Sequence, residues 1–121
     1  MFKIVALVKR KDGVSREDFV AFYEQRHVGL IEQDFLRFYV DYRRNYVLLD
    51  DPLTMPAPAG EDAFPYDVIT ELTFEDRADR EAMMAAMAAY LKDGGSPELD
   101  LMDAPRTRLF VVEERVSTIP E

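Results

Sequence analysis

The sequence has no cysteine and no tryptophan, and it contains a single histidine among its 121 residues. Without cysteine, the chain can form neither disulfides nor thiolate metal sites. One histidine among scattered carboxylates does not make a transition-metal site either, and no glycine-rich loop has the context of a phosphate-binding motif. The composition therefore predicts a protein that uses no metal and no cofactor.

Long apolar runs and positive charge are also scarce. No segment approaches the ~20 apolar residues that a membrane-spanning helix needs, and the formal net charge is −9. That charge repels the phosphates of nucleic acids and of anionic membranes. The N-terminal segment shows no basic region followed by a cleavage site. We therefore expect a cytoplasmic protein that binds no nucleic acid and no membrane.

The residues that are present predict one globular domain over 1–121, because 48% are apolar and 32% are charged. Helix signals predict a first helix from Ser15 to Gly29 and a second over 76–95. The segment 50–65 holds four of the seven prolines, and we expect it to be a long loop beside a pocket or a partner subunit. Runs of β-branched and aromatic residues predict strands over 2–9, 38–49, 66–74 and 107–114.

The first predicted helix carries the histidine. The Ser15 hydroxyl can cap its N-terminus, and Gly29 is a plausible C-cap. His27 therefore lies near the predicted end of the helix, on the stripe that faces the core. That stripe consists of Phe19, Phe22, Tyr23, Arg26, His27 and Leu30.

The element order β-α-β-β-α-β predicts an α+β, ferredoxin-like fold, in which a four-stranded antiparallel sheet carries both helices on one face. The second face of the sheet is then uncovered. Val5 and Leu7 of the first strand, with Phe110 and Val112 of the last, are predicted to lie on that face. A second copy of the sheet would cover them, so we expect a homodimer whose sheets face each other.

Four stretches together resemble the EthD-like family of the dimeric α/β-barrel group: "KIVALVKRKDGVSREDFVAFYEQRHVGLI", "YRRNYV", "YDVITELTF" and "FVVEE". His27 matches the family's histidine, and Tyr23 stands where an aromatic residue, often tryptophan, is usual. Val28-Gly29 follow the histidine where the family usually has a proline. The resemblance implies a dimeric α/β barrel, some of whose members are dehydratases or decarboxylases of aromatic polyketide pathways.

His27 is the first candidate for catalysis, since imidazole titrates at about pH 6.5 and suits proton transfer. The alternative is a structural histidine that binds the last carbonyls of the helix. Tyr23, one turn away, is the second candidate because a phenol can donate a hydrogen bond to a developing oxyanion.

Residues of the second and third strands are candidates for substrate binding. Tyr42 and Tyr46 share one face of the second strand, and Tyr39 is predicted to point to the other. Asn45 and Glu71 lie among polar residues that alternate on the face expected to meet a partner sheet. They indicate either a polar cavity or an ion pair such as Arg43 with Glu71. Methionines 83, 84 and 87 are interpreted as core residues.

Three classes of function remain open. The first is a cofactor-free lyase or cyclase that dehydrates, decarboxylates or cyclises a small hydrophobic, oxygenated or polyketide-like molecule through a histidine proton shuttle. The second is a non-catalytic ligand-binding accessory protein of a degradation pathway. The third is a cofactor-independent monooxygenase.

Overall fold

Four antiparallel strands form one sheet in the computed structural model, which describes residues 1–54, 65–94 and 101–120. The strands are β1 (Phe2–Val8), β2 (Asp41–Tyr46), β3 (Val68–Phe74) and β4 (Arg108–Val112). Their order in the sheet is β2-β3-β1-β4, and every neighbouring pair is antiparallel. This is the ferredoxin-like arrangement, so the predicted fold class is confirmed.

The alternation of side chains along the strands decides which face the helices cover. Ile4, Ala6 and Val8 are buried on one face of β1, and alternate residues of β3, from Val68 to Phe74, are buried on the same face. Val5 and Leu7 lie on the opposite face, where Val5 pairs with Phe110 of β4. The two faces are therefore assigned as the alternation predicts.

The first helix is much longer than the predicted one. Ser15 caps the α-helix α1 (Arg16–Phe22), and its hydroxyl accepts from the Asp18 backbone N–H at 3.1 Å. The helical path then continues as a π-helix over Tyr23–Val28, a second over Ile31–Phe35 and a 3-10 turn over Leu36–Phe38. The prediction that Gly29 ends the helix is wrong, because Gly29 has ordinary right-handed helical angles (φ −57°, ψ −41°). His27 consequently lies in the middle of this helical run.

The π-helical turn changes which side chains face the core. The Gly29 N–H donates to the Glu24 carbonyl, five residues back, so each turn holds more residues than an α-helix. Val28 and Ile31 are buried as a result, whereas Arg26 of the predicted stripe is exposed. Arg26 is therefore the residue of the predicted stripe that turns out to face solvent.

The second strand begins later than predicted. Phe38 ends the 3-10 turn and Tyr39 is an extended connecting residue, while sheet bonding starts with the Val40 N–H donating to the Thr73 carbonyl at 2.7 Å. Tyr39 therefore does not alternate with Tyr42, and both tyrosines lie on the helix side of the sheet. The prediction of opposite faces was wrong because it assumed regular strand geometry through Tyr39.

The second helix, α2 (Arg77–Gly94), lies close to the predicted 76–95. It packs over the same sheet face as the first helical run, since Met83 is buried in one cluster with Ile4 and Ile31. In the predicted loop 50–65, residues 55–64 lie outside the described residues, so its expected position is not assessed. No helix in the described ranges is long and apolar enough to cross a membrane.

Replacing Gly29 with alanine should stabilise the protein by about 0.5–1 kcal/mol, because a helical glycine loses more backbone entropy than alanine on folding. A Cβ at this position would approach only the Glu24 carbonyl oxygen, at 3.8 Å. Thermal unfolding of Gly29→Ala is the measurement. Gly13→Ala is the matched control and should destabilise, because Gly13 has a positive φ of 85°. Destabilisation by Gly29→Ala would instead indicate that the helix ends there.

Candidate active site

A cavity of about 210 Å³ lies between the helices and the sheet. Its floor is formed by β1 and β3, and its walls come from the first helical run, α2 and the segment that precedes β4. Most of the lining is apolar. The polar side chains among the described residues of its lining are Tyr23, His27, Tyr39, Tyr42, Thr70, Arg80 and Thr107.

Tyr23 is held rigidly at the edge of this cavity. Its side chain is 1% exposed, and its hydroxyl shares a hydrogen bond of 2.7 Å with the hydroxyl of Thr70 on β3, which is 2% exposed. Burial raises the pKa of Tyr23 to about 12. The phenol therefore stays protonated at neutral pH, so it can donate a hydrogen bond but cannot act as a base.

His27 stacks against Tyr23, as the sequence spacing predicts. The two ring centroids are 4.8 Å apart and the rings are tilted by 32°. His27 is half-buried and lines the cavity. The helical path continues to Phe38, so His27 does not lie at the helix end that the sequence predicts.

Tyr42 reaches the cavity from β2. Its hydroxyl is buried and makes no hydrogen bond within the described part of the chain. Burial raises its pKa far above the ordinary value, so the group stays a neutral phenol. Its ring lies 5.3 Å from that of Tyr39, which lines the same cavity. Native proteins rarely leave a buried hydroxyl unpaired, and such groups call for a specific explanation.

Tyr46 does not line the cavity but packs against Tyr23, which does. Its hydroxyl donates to the Glu24 carboxylate, and Arg44 binds the same carboxylate through two hydrogen bonds of 2.7 and 3.0 Å. The Arg44 guanidinium thereby lowers the pKa of Glu24. The Tyr46 ring packs edge-on against Tyr23 at 6.1 Å, so this charged cluster fixes the ring that His27 stacks on.

Asn45 and Glu71 lie on the other face of the sheet. The Asn45 amide donates to Glu71 at 2.9 Å, and Lys3 forms an ion pair with Glu71 at 2.6 Å. Hydrogen bonds from these two groups lower the pKa of Glu71. The expected Arg43–Glu71 ion pair is not formed, because Arg43 pairs with Asp41 at 2.5 Å. Within one chain, the sheet separates Asn45 and Glu71 from His27.

Arg80 is a cavity residue that the sequence analysis did not identify. It lies on α2 on the same helical face as Met83, Met84 and Met87, all of which line the cavity. The three methionines were interpreted as core, yet only Met83 is fully buried, whereas Met84 is exposed. The spacing Arg80-Met83-Met84-Met87 was the available signal, because it places a charge on an apolar helix face.

The described residues contain no group of three or more histidine, cysteine or acidic side chains that could hold a metal ion. The titratable side chains among the described residues of the cavity lining are an imidazole, three phenols and one guanidinium.

The fold and cavity define a ferredoxin-like α+β domain with a pocket between its helices and its sheet. The model of the EthD domain matches residues 11–95. This match spans more than half of the chain, so the chain belongs to the EthD domain family and the resemblance seen in the sequence is confirmed. A comparison with curated proteins finds no match.

Solved structures share the fold at low sequence identity. The protein At3g17210 from Arabidopsis thaliana is 18% identical, with a TM-score of 0.60, and the match covers 98% of this chain and 100% of that one. HapK from Hahella chejuensis is 17% identical, with a TM-score of 0.55 and coverage of 100% and 99%. An ethyl tert-butyl ether d (EthD) family protein from Bacillus halodurans is 12% identical, with a TM-score of 0.57 and coverage of 95% and 100%.

Two tyrosine-to-phenylalanine changes should distinguish a hydroxyl that stabilises the fold from one that makes no hydrogen bond within the described chain. Tyr23→Phe should lower the free energy of unfolding by about 1–2 kcal/mol, because it leaves the Thr70 hydroxyl buried without its partner. Tyr42→Phe should leave stability unchanged or slightly raised, since its hydroxyl has no partner in the described chain. Urea unfolding of both variants is the measurement, and equal losses would contradict the assignment.

Proposed function

We propose that this protein is a cofactor-free lyase or cyclase that acts on a small hydrophobic, oxygenated molecule bound in the cavity. The observation that carries the proposal is the convergence of His27, Tyr23 and Tyr42 on one cavity of about 210 Å³ that is otherwise largely apolar. Dehydration, decarboxylation and aldol cyclisation are the reactions that such a group of side chains suits. The proposed compartment is the cytoplasm.

The three side chains have distinct proposed roles. His27 transfers the proton, because its ordinary pKa lies near neutral pH. The protonated phenol of Tyr42 donates a hydrogen bond to the oxygen on which charge develops, since that hydroxyl is not engaged by the described protein. Tyr23, whose hydroxyl already pairs with Thr70, positions the imidazole through their stacked rings. Tyr46 acts through Glu24, while Asn45 and Glu71 serve the opposite face of the sheet.

A proton-transfer probe tests this proposal without knowledge of the natural substrate. Nitrobenzisoxazole is a small aromatic molecule that opens when a base removes one carbon-bound proton, which breaks its N–O bond and releases a coloured nitrophenolate. We expect the protein to accelerate this reaction, and His27→Ala to lower the rate by ~10²-fold or more. The absorbance of the product gives the rate, and thermal unfolding reports whether the variant remains folded.

Arg26→Ala is the matched control, because Arg26 precedes His27 in the same π-helical turn and is exposed. It should leave the rate unchanged. A protein that binds the probe but shows no His27-dependent rate would instead be the ligand-binding accessory protein. Consumption of oxygen with a bound substrate would identify the cofactor-independent monooxygenase.

We also propose that two copies pair through the open sheet face. Both helical segments cover one face, which leaves Val5, Leu7, Ile69, Phe110 and Val112 together on the other. Apolar patches of this kind on a sheet mark an interface. The lysine and acidic side chains beside them, joined as Lys3–Glu71, supply both signs of charge, so the face can complement itself across a twofold axis. Asn45 and Glu71 would then lie at the subunit boundary.

Replacing Phe110 with glutamate should convert the dimer into a monomer at low micromolar concentration. Phe110 is 42% exposed within the proposed interface, and pairing would remove an introduced carboxylate from water. Sedimentation velocity is the measurement. Leu36→Glu is the control, because Leu36 is 43% exposed on the helical side of the domain. A wild-type chain that sediments as a monomer contradicts the pairing.

A further inference from the structure

Arg80 brings a positive charge to a cavity whose described lining contains no acidic side chain. The residue lies in the first turns of α2, is half-buried and lines the cavity together with Tyr39. Its guanidinium carbon lies 5.8 Å from the centre of the Phe74 ring, which also stacks with Tyr39 at 4.6 Å. No aspartate or glutamate occurs among the described residues of the lining.

Arg80 also lacks a carboxylate partner, which several of the other arginines in the described ranges have. Arg44 binds Glu24, Arg43 binds Asp41 and Arg106 binds both Asp12 and Asp103. Within the described ranges, the Arg80 side chain makes no hydrogen bond or ion pair, and its guanidinium lies over the Phe74 ring. The two acidic residues adjacent to it in sequence, Asp79 and Glu81, form no ion pair with it within the described ranges, and the Asp79 backbone N–H donates to the Asp76 carboxylate at 3.0 Å.

Burial without a counter-charge is unfavourable for a guanidinium. Removal from water lowers the pKa of Arg80, although arginine remains protonated at neutral pH. An apolar side chain at this point of the helix would avoid that cost and fill the same face. The charge is therefore explained best by a ligand that supplies the missing anion.

We propose that Arg80 binds the carboxylate of the cavity's ligand, so that the substrate is a small hydrophobic carboxylic acid. This inference rests on the proposed function of the cavity. The planar guanidinium matches a carboxylate through two parallel N–H···O bonds. A single guanidinium balances the one negative charge of a carboxylate, whereas a phosphate monoester carries about −1.5 to −2 charges and would remain partly uncompensated.

The remaining lining agrees with this chemistry. Apolar side chains of β1, β3 and the three methionines of α2 would enclose the hydrocarbon part of the ligand. The hydroxyls of Tyr39 and Tyr42 are neutral donors, because burial raises the pKa of both groups. Arg80 would thus fix which end of the ligand faces α2, and this orientation sets the atom that meets His27.

Naphthoate and naphthamide, substituted at the same ring position, form a test pair that differs in charge and hardly in shape. We expect calorimetric titration at neutral pH to show that wild-type protein binds naphthoate at least ~10-fold more tightly than naphthamide. Arg80→Met should weaken naphthoate binding by about 10–100-fold, the range that a charged hydrogen-bonded contact supports. It should change naphthamide binding by no more than about twofold.

Arg77→Met is the matched control, since Arg77 lies one turn earlier on α2 and stacks over Phe2 outside the cavity. It should leave the affinities of both probes unchanged. Equal affinity of wild-type protein for the two probes would overturn the inference, and this comparison needs no variant to fold. An equal loss of affinity for both probes in Arg80→Met would also overturn the inference. If the wild type binds neither probe, the proposal that the cavity binds a small hydrophobic ligand is contradicted, and the proposed function with it.

Discussion

The hydrogen bond between the hydroxyls of Tyr23 and Thr70 joins the first helical run to the centre of the sheet. Both residues are almost completely buried, so breaking this bond would leave two polar groups in the core. Around it, the buried side chains divide into two clusters, one containing Phe19 and Val68 and the other Ile4 and Phe74. Tyr42 packs against both, and the cavity takes its lining from both. The cavity thus lies where the two packed clusters meet, and the hydrogen bond between Tyr23 and Thr70 holds the helical run and the sheet together there.

The position of His27 follows from the same constraint. Tyr23 begins a π-helical turn, in which bonding to the fifth residue back replaces bonding to the fourth. The wider turn lets Tyr23 and Val28 both face the core while His27, between them, stays at the cavity wall. In a regular α-helix, residue 28 would lie about 100° past residue 27 and would turn away from the sheet. The position of His27 at the cavity therefore depends both on its four-residue spacing from Tyr23 and on the π-helical turn that contains it.

The sequence predicted most of the fold because strand faces depend on a period of two and on little else. The alternation placed Val5 and Phe110 on the open face and Asn45 and Glu71 with them, as observed. The alternation does not predict two other features, namely the length of the first helical run and the position of Arg80. Glycine favours left-handed caps, so the sequence predicts a helix end at Gly29, but the apolar residues Ile31 and Phe35 beyond it gain more by continuing the helix into the core. Arg80 is not singled out in the sequence analysis, because its inward position depends on how α2 packs over the sheet.

The charge distribution links these observations to chemistry. The chain carries a net charge of −9, which opposes the approach of an anion from a distance, although salt screens that repulsion beyond about 8 Å. Inside the cavity the balance is reversed, because the described residues of its lining include Arg80 and no carboxylate, and the tyrosines there remain neutral donors. The proposed binding of an acid and the proposed formation of an enolate or phenolate both need negative charge to be stabilised inside the protein, and these groups suit that need. Under the proposed function, these donors would stabilise the negative charge left on the ligand when His27 removes its proton, which an apolar cavity without them would not do.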